Sequence, residues 1–186
     1  MPVLRSDAAR SRARVLEVAR SHDTNDLRLN EIAREAGVGV GTVYRHFPTV
    51  HSLVEALTAE TIERMLAISR RAGDEHDAAE AFAFFLRSAL TLQLDDDGLQ
   101  TVLLSPDDEI DEIRSAKREI FETFSDVLDR AKTAGAVRGD LTLDRLTHLV
   151  CGIEHAVRLG SPDDRDPLLD ILVAGLRPPG ESARPV

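Results

Sequence analysis

Residues 28–47, RLNEIAREAGVGVGTVYRHF, restrict what this chain can fold into more than any other stretch. Leu29, Ile32, Ala33 and Ala36 recur at spacings of three and four, so they share one helix face. Gly37 follows at once, where a left-handed residue closes a helix. Val38 plugs the turn, and a second short helix starts near Gly39 or Val40. Val43 and Phe47 are four apart and can face a core, which turns Gly41, Thr42, Tyr44, Arg45 and His46 elsewhere. Two short helices joined by a tight Gly-containing turn form a helix-turn-helix, whose second helix enters the DNA major groove. A hydroxyl, a phenol, a guanidinium and an imidazole on such a helix are groups that phosphates and base edges accept. Arg45 suits a guanine edge or a phosphate, Thr42 and Tyr44 suit phosphate oxygens, and Gly41 permits close approach to the groove. The same pattern also joins amphipathic helices in proteins that never touch DNA, so on the pattern alone both readings stand.

The stretch IAREAGVGVGTVYRHFPT followed by SLVEAL closely resembles the N-terminal domain of the TetR family of one-component bacterial regulators. The resemblance covers about residues 28–60 and rests on Ile32-Ala33, Ala36-Gly37-Val38, Gly41-Thr42, Tyr44, Phe47 and Leu53. It implies an all-α homodimer. A three-helix DNA-binding domain is expected over residues 1–48, a ligand-binding and dimerisation bundle over 49–178, and a solvated tail over 179–186. By resemblance Thr42 and Tyr44 hold phosphates, Val40, Gly41 and Arg45 lie nearest the bases, His46 lies at the backbone, and Asn30 joins the DNA-binding set. The implied partners are double-stranded DNA with a pseudo-palindromic operator, a second copy of the chain, and a small-molecule effector of unknown identity, with no cofactor. The chain departs from the family pattern at Gly39, where a small hydroxyl residue is usual, and at Val50, where a lysine is frequent. Its segment before Ile32 is about one helical turn shorter than usual and lacks the customary aromatic and glycine near 21–23.

Charge is distributed in keeping with that division. The chain carries a net −10, which by itself argues against nucleic acid. Residues 1–50, however, hold eight Arg and six acids, while the remainder holds 15 basic and 27 acidic residues. Arg5, Arg10, Arg12 and Arg14 concentrate positive charge near the N-terminus, either to reach phosphates or as a solvated helix face. So small a positive field predicts salt-sensitive binding that depends on dimerisation. No apolar run approaches 18 residues and no basic-plus-apolar leader is visible, so a soluble, cytoplasmic protein with no membrane contact is expected. Cys151 is the single cysteine, which leaves no intrachain disulfide.

Helical periodicity continues to the end. Helices are expected over about 7–21, 49–71, 78–94, 99–104, 105–134, 142–159 and 166–176. Ser105-Pro106-Asp107-Asp108 reads as the start of the fifth of these, with a hydroxyl cap, a first-turn proline and acids at the positive dipole end. Such lengths suit an antiparallel bundle. Leu146, Val150, Ile153 and Val157 form one stripe, and Leu169, Leu172, Val173 and Leu176 form a second. Periodicity does not distinguish a dimer interface from the subunit core. The family's pairing of its last two helices favours the interface, with two recognition helices presented to a twofold site.

A ligand pocket is read from Phe82, Phe85, Phe121 and Phe124, on two helices able to face each other, with Cys151 and His155 as polar partners. Plain core is the competing reading of the aromatics. His148, Cys151 and His155 lie at spacings of three and four, yet this is not a specific zinc pattern and no metal site is expected. No nucleophile elbow, phosphate-binding glycine loop or calcium loop is present, so no enzyme is expected. The whole reads as a sequence-specific transcription regulator, a repressor released when a ligand in the bundle shifts the connector helix beyond Thr49. The alternative is a dimeric helical adaptor or ligand-binding protein that has lost DNA binding.

Overall fold

Several helix starts in this chain are set by side-chain caps, and two helix ends by a left-handed glycine. The computed structural model describes residues 3–178, which form nine α-helices and no strand. They are α1 (Val3–Ala19), α2 (Leu29–Glu35), α3 (Val40–His46), α4 (Val50–Asp74), α5 (Ala78–Asp95), α6 (Leu99–Leu104), α7 (Asp111–Thr133), α8 (Leu143–Leu159) and α9 (Arg165–Gly175). Short 3-10 turns at Thr24–Asp26 and Pro162–Asp164 precede α2 and α9. The tail expected over 179–186 lies outside the described residues.

Gly37 has φ +60° and closes α2, with the Val38 N–H donating to the Ala33 carbonyl at 3.0 Å. Gly135 (φ +71°) closes α7 in the same way, through the Ala136 N–H to Ala131 at 2.9 Å. Thr49 caps α4, its Oγ1 accepting from the Ser52 N–H at 3.1 Å. Thr142 caps α8 by accepting from the Arg145 N–H at 3.2 Å. Ahead of α5, Asp77 accepts from the N–H groups of Ala79 and Glu80 at 2.9 and 3.0 Å.

The start of α7 departs from expectation. Ser105-Pro106 forms only a local turn, in which the Ser105 hydroxyl accepts from the Asp107 N–H at 3.2 Å, and the helix begins at Asp111. The cap comes from α4 instead. The fully buried Glu55 carboxylate accepts from the N–H groups of Glu109 and Ile110, at 2.9 and 3.1 Å. Thr61 reinforces the same packing by donating to Asp96 at 2.5 Å.

These ties explain why the chain does not divide at residue 48. The first compact unit runs through Ile62 and takes in Asp96–Ser115, and the second comprises Glu63–Asp95 and the chain from Ala116 on. In the first, Val15, Leu16 and Ala19 of α1 pack among buried Leu29, Ile32, Ala33, Val43 and Phe47, while Ala9 and Ala13 face solvent. Leu53, Val54, Leu99 and Val102 are buried in the same unit. α6 lies so close to α4 that a Cβ on Gly98 would stand 2.6 Å from Thr58 Cγ2 and 3.1 Å from Val54 Cγ1. Gly98→Ala therefore forces buried side chains apart. The expected cost is about 1–3 kcal/mol, read as a lower denaturant midpoint at unchanged slope.

The second unit is centred on aromatic and aliphatic packing. Phe124 stacks on Phe85 with ring centroids 3.9 Å apart and lies 6.2 Å from Phe82. Arg130 caps the C-terminal end of α4, its Nη1 donating to the Gly73 carbonyl at 2.8 Å. Exposed pairs decorate the surface: Arg70–Glu119, Arg138–Asp140 and Arg165–Asp166. Hydrogen bonds from these arginines hold the carboxyl groups of Glu119, Asp140 and Asp166 below their ordinary values. A depressed folded value adds stability above the unfolded pKa that is lost as pH falls through the folded one. Full solvent exposure keeps that contribution small.

Candidate nucleic-acid interface

α3 is seven residues long and held by one face. Val43 is fully buried and Phe47, at the C-cap, is 1% exposed. Arg12 of α1 lies over the Phe47 ring, 5.3 Å from its centroid, and fixes the end of the helix from the outside. With that face committed, Val40, Gly41, Tyr44 and Arg45 are exposed, Val40 to 46% and Tyr44 to 45%. Thr42 and His46 are half-buried. An exposed valine, tyrosine and arginine on the outer face of this helix form a surface suited to apolar and hydrogen-bonding contact with a groove. A Cβ on Gly41 would meet nothing within 4 Å, so this glycine is not required by packing. It keeps the helix surface low where a duplex must come near. Gly39 stands at the N-cap of α3 with no side-chain hydrogen bond, which leaves the first N–H groups of the helix to other partners.

Asn30, on the first turn of α2, is exposed. It lies with Tyr44 along a groove of about 510 Å³ whose walls also include Arg28, Pro48, Thr49 and Val50. Arg28 is a phosphate-binding candidate that the sequence reading passed over. The signal was present, since Arg28 precedes the first turn of α2, where backbone N–H groups already favour an anion.

The remaining sequence-derived sites fall differently. Among the eight residues assigned to the dimer interface, Leu146, Val150, Val157, Leu169, Leu172 and Leu176 are buried within the single chain, and Ile153 and Val173 are half-buried. Six of the eight thus pack in the core of the single chain, while Ile153 and Val173 keep part of their surface accessible. The faces turned outward carry Leu149 (44% exposed), Leu159 (76%) and Ile171 (67%). Of the ligand candidates, Phe124 stacks with both Phe82 and Phe85, and no space is left between the Phe85 and Phe124 rings. Phe121 and Cys151 are half-buried and His155 is exposed. The second unit does contain a cleft of about 530 Å³ bounded by Leu94, Asp95, Val157, Arg158 and Arg165, which holds none of the aromatic candidates.

A glycine-closed α2 and a short α3 with one buried face and one exposed face bearing Tyr44 and Arg45, in a chain with a second helical unit, define a helix-turn-helix DNA-binding regulator. Comparison with known proteins gives the family. Residues 16–57 match the bacterial regulatory proteins of the tetR family, and residues 77–178 match the C-terminal domain of SbtR-like transcriptional regulators. The TetR transcriptional regulator SCO0520 from Streptomyces coelicolor is 30% identical, covers 93% of this chain and 99% of its own, and superposes with a TM-score of 0.53. An HTH-type transcriptional regulator of Staphylococcus aureus (strain USA300) is 25% identical over 130 residues, which span 67% of this chain and 70% of that one. The transcriptional regulator FadR from Bacillus subtilis, solved in complex with stearoyl-CoA, shares the fold at 19% identity and TM-score 0.55, covering 91% of this chain and 99% of its own. The chain belongs to the TetR family and is a DNA-binding transcriptional regulator. No described helix is long and apolar enough to cross a membrane.

Proposed function

We propose that the chain acts in the cytoplasm as a homodimeric repressor, holding a pseudo-palindromic operator until a small molecule releases it. The observation that carries this reading is α3 itself, with Val43 and Phe47 committed to the core and Val40, Gly41, Tyr44 and Arg45 exposed. One short helix reads only a few base pairs, so sequence-specific affinity calls for two copies about 34 Å apart on one face of the duplex. α4 belongs to the first unit up to Ile62 and to the second from Glu63, which makes it the natural carrier of coupling between ligand and operator. Coupling of this kind is reciprocal: a ligand that weakens DNA binding is itself weakened by DNA. The test is selection of randomised duplexes by the purified protein. Recovery of a palindrome that outcompetes random duplex supports the reading, and a ligand that lowers affinity for it supports repression by release. Absence of any enrichment overturns it and favours an adaptor.

The dimer surface proposed is the outward side of α8 and α9, bearing Leu149, Leu159 and Ile171. Gly152 of α8 and Gly175 of α9 are exposed, and a Cβ on either would meet nothing in its own subunit, so a neighbouring helix has room to approach. Leu149→Glu with Ile171→Glu places charges on that face without touching the subunit core. The expected result is a monomer by sedimentation with unchanged helicity, and operator affinity reduced with the loss of the second reading head. A double variant that remains dimeric assigns the interface elsewhere.

A further inference from the structure

Glu55 does more than cap a loop. It shares a small cluster with His51, one turn earlier on α4, and with Asp108, more than fifty residues on. One donor atom from each of the three lies within 4.8 Å of the other two. We infer that His51, Glu55 and Asp108 form a binding site for a divalent first-row transition cation, with zinc the best fit to one imidazole and two carboxylates. The residues at i and i+4 of one helix face the same way, the spacing by which helices present paired metal ligands.

Three features of the surroundings support a cation. First, the Nε2 atom of His51 is buried and makes no hydrogen bond, although it stands 3.5 Å from Glu55 Oε1. A buried ring nitrogen without a partner is costly, and a bound ion is one of the few things that satisfies it. Second, Glu55 is fully buried and its position is fixed, because Oε1 and Oε2 each accept one backbone N–H. Each oxygen keeps a second lone pair. Metal-bound carboxylates are characteristically held from behind in this way. Third, the arrangement is nearly closed. Metal bonds of about 2.1 Å separate neighbouring ligand atoms by roughly 3–3.5 Å, so the three donors need approach by little more than an ångström. Three protein ligands leave a fourth position for water.

The experiment uses the full chain, stripped by chelation and titrated calorimetrically with Zn²⁺, with Mn²⁺ and Mg²⁺ as comparisons. His51→Gln and Asp108→Asn are titrated beside it. Both side chains are partly solvent-exposed and neither donates to the Glu55 cap, so the variants retain the α7 start. The expected result is one Zn²⁺ per chain, a higher melting temperature with zinc, and at least tenfold weaker binding in each variant. Mg²⁺, which favours all-oxygen sites and retains its water, is expected to bind far more weakly. Circular dichroism of the metal-free variants establishes that they are folded. Zinc binding unchanged in both variants places the ion on the surface histidines instead and overturns the assignment, as does the absence of binding to the parent chain.

Discussion

Glu55→Ala is expected to lower the stability of the protein by about 3 kcal/mol. Two backbone N–H groups, of Glu109 and Ile110, lose a charged acceptor at once. A hydrogen bond to a charged group contributes roughly 1.5–3 kcal/mol, and a donor left unsatisfied costs about 1–3 kcal/mol. Burial alone makes an ionised carboxylate unfavourable, and it is tolerated at zero exposure because those donors and the N-terminal dipole of α7 face it. For a chain of this size the loss corresponds to a fall of roughly 6–12 °C in melting temperature. Glu55→Gln is the informative comparison. Its carbonyl satisfies one N–H while its amide group opposes the other, so about half the loss is expected. Equal melting temperatures for Glu55→Gln and the parent chain would show that the charge contributes nothing to the cap.

That residue also marks where the sequence stopped being readable. The helix-turn-helix was legible because each signal is local: Gly37 at a left-handed position, Val43 and Phe47 one turn apart, Thr49 capping the next helix. The α7 start was misplaced by six residues for the converse reason. Ser105-Pro106 carries the local signature of a helix start, but the acceptor that decides the matter sits on α4, more than fifty residues earlier. The same limit hid Asp108 from His51 and Glu55, whose four-residue spacing was visible. The stripes on α8 and α9 were legible as apolar faces, but not which neighbour covers them. Periodicity reports that a face is buried, and Leu146 and Leu169 turn out to be buried inside one chain. The apolar residues that remain outward, Leu149, Leu159 and Ile171, are too widely spaced to stand out in the sequence.

Arg45→Ala is expected to cost the dimer about a hundredfold or more in operator affinity. A guanidinium that chelates a base edge contributes roughly 1–3 kcal/mol of discrimination, and a twofold complex loses that contribution in both half-sites. Arg45 is exposed in the free protein, so its truncation is expected to leave folding within about 0.5 kcal/mol of the parent. Tyr44→Phe separates the two kinds of contact this helix can make. Loss of one hydroxyl that reaches a phosphate weakens every duplex to a similar extent, whereas loss of a base-reading arginine relaxes preference at one position of the selected site. Salt gives an independent distinction. If Arg45 instead pairs with a phosphate, its removal flattens the dependence of log K on log salt by about one unit per contact, and Tyr44→Phe leaves that slope unchanged. Affinity and sequence preference that survive both substitutions in a folded dimer would remove α3 from the DNA interface. The exposed face of α3 would then serve a protein partner, since Val40 and Tyr44 keep close to half of their surface accessible.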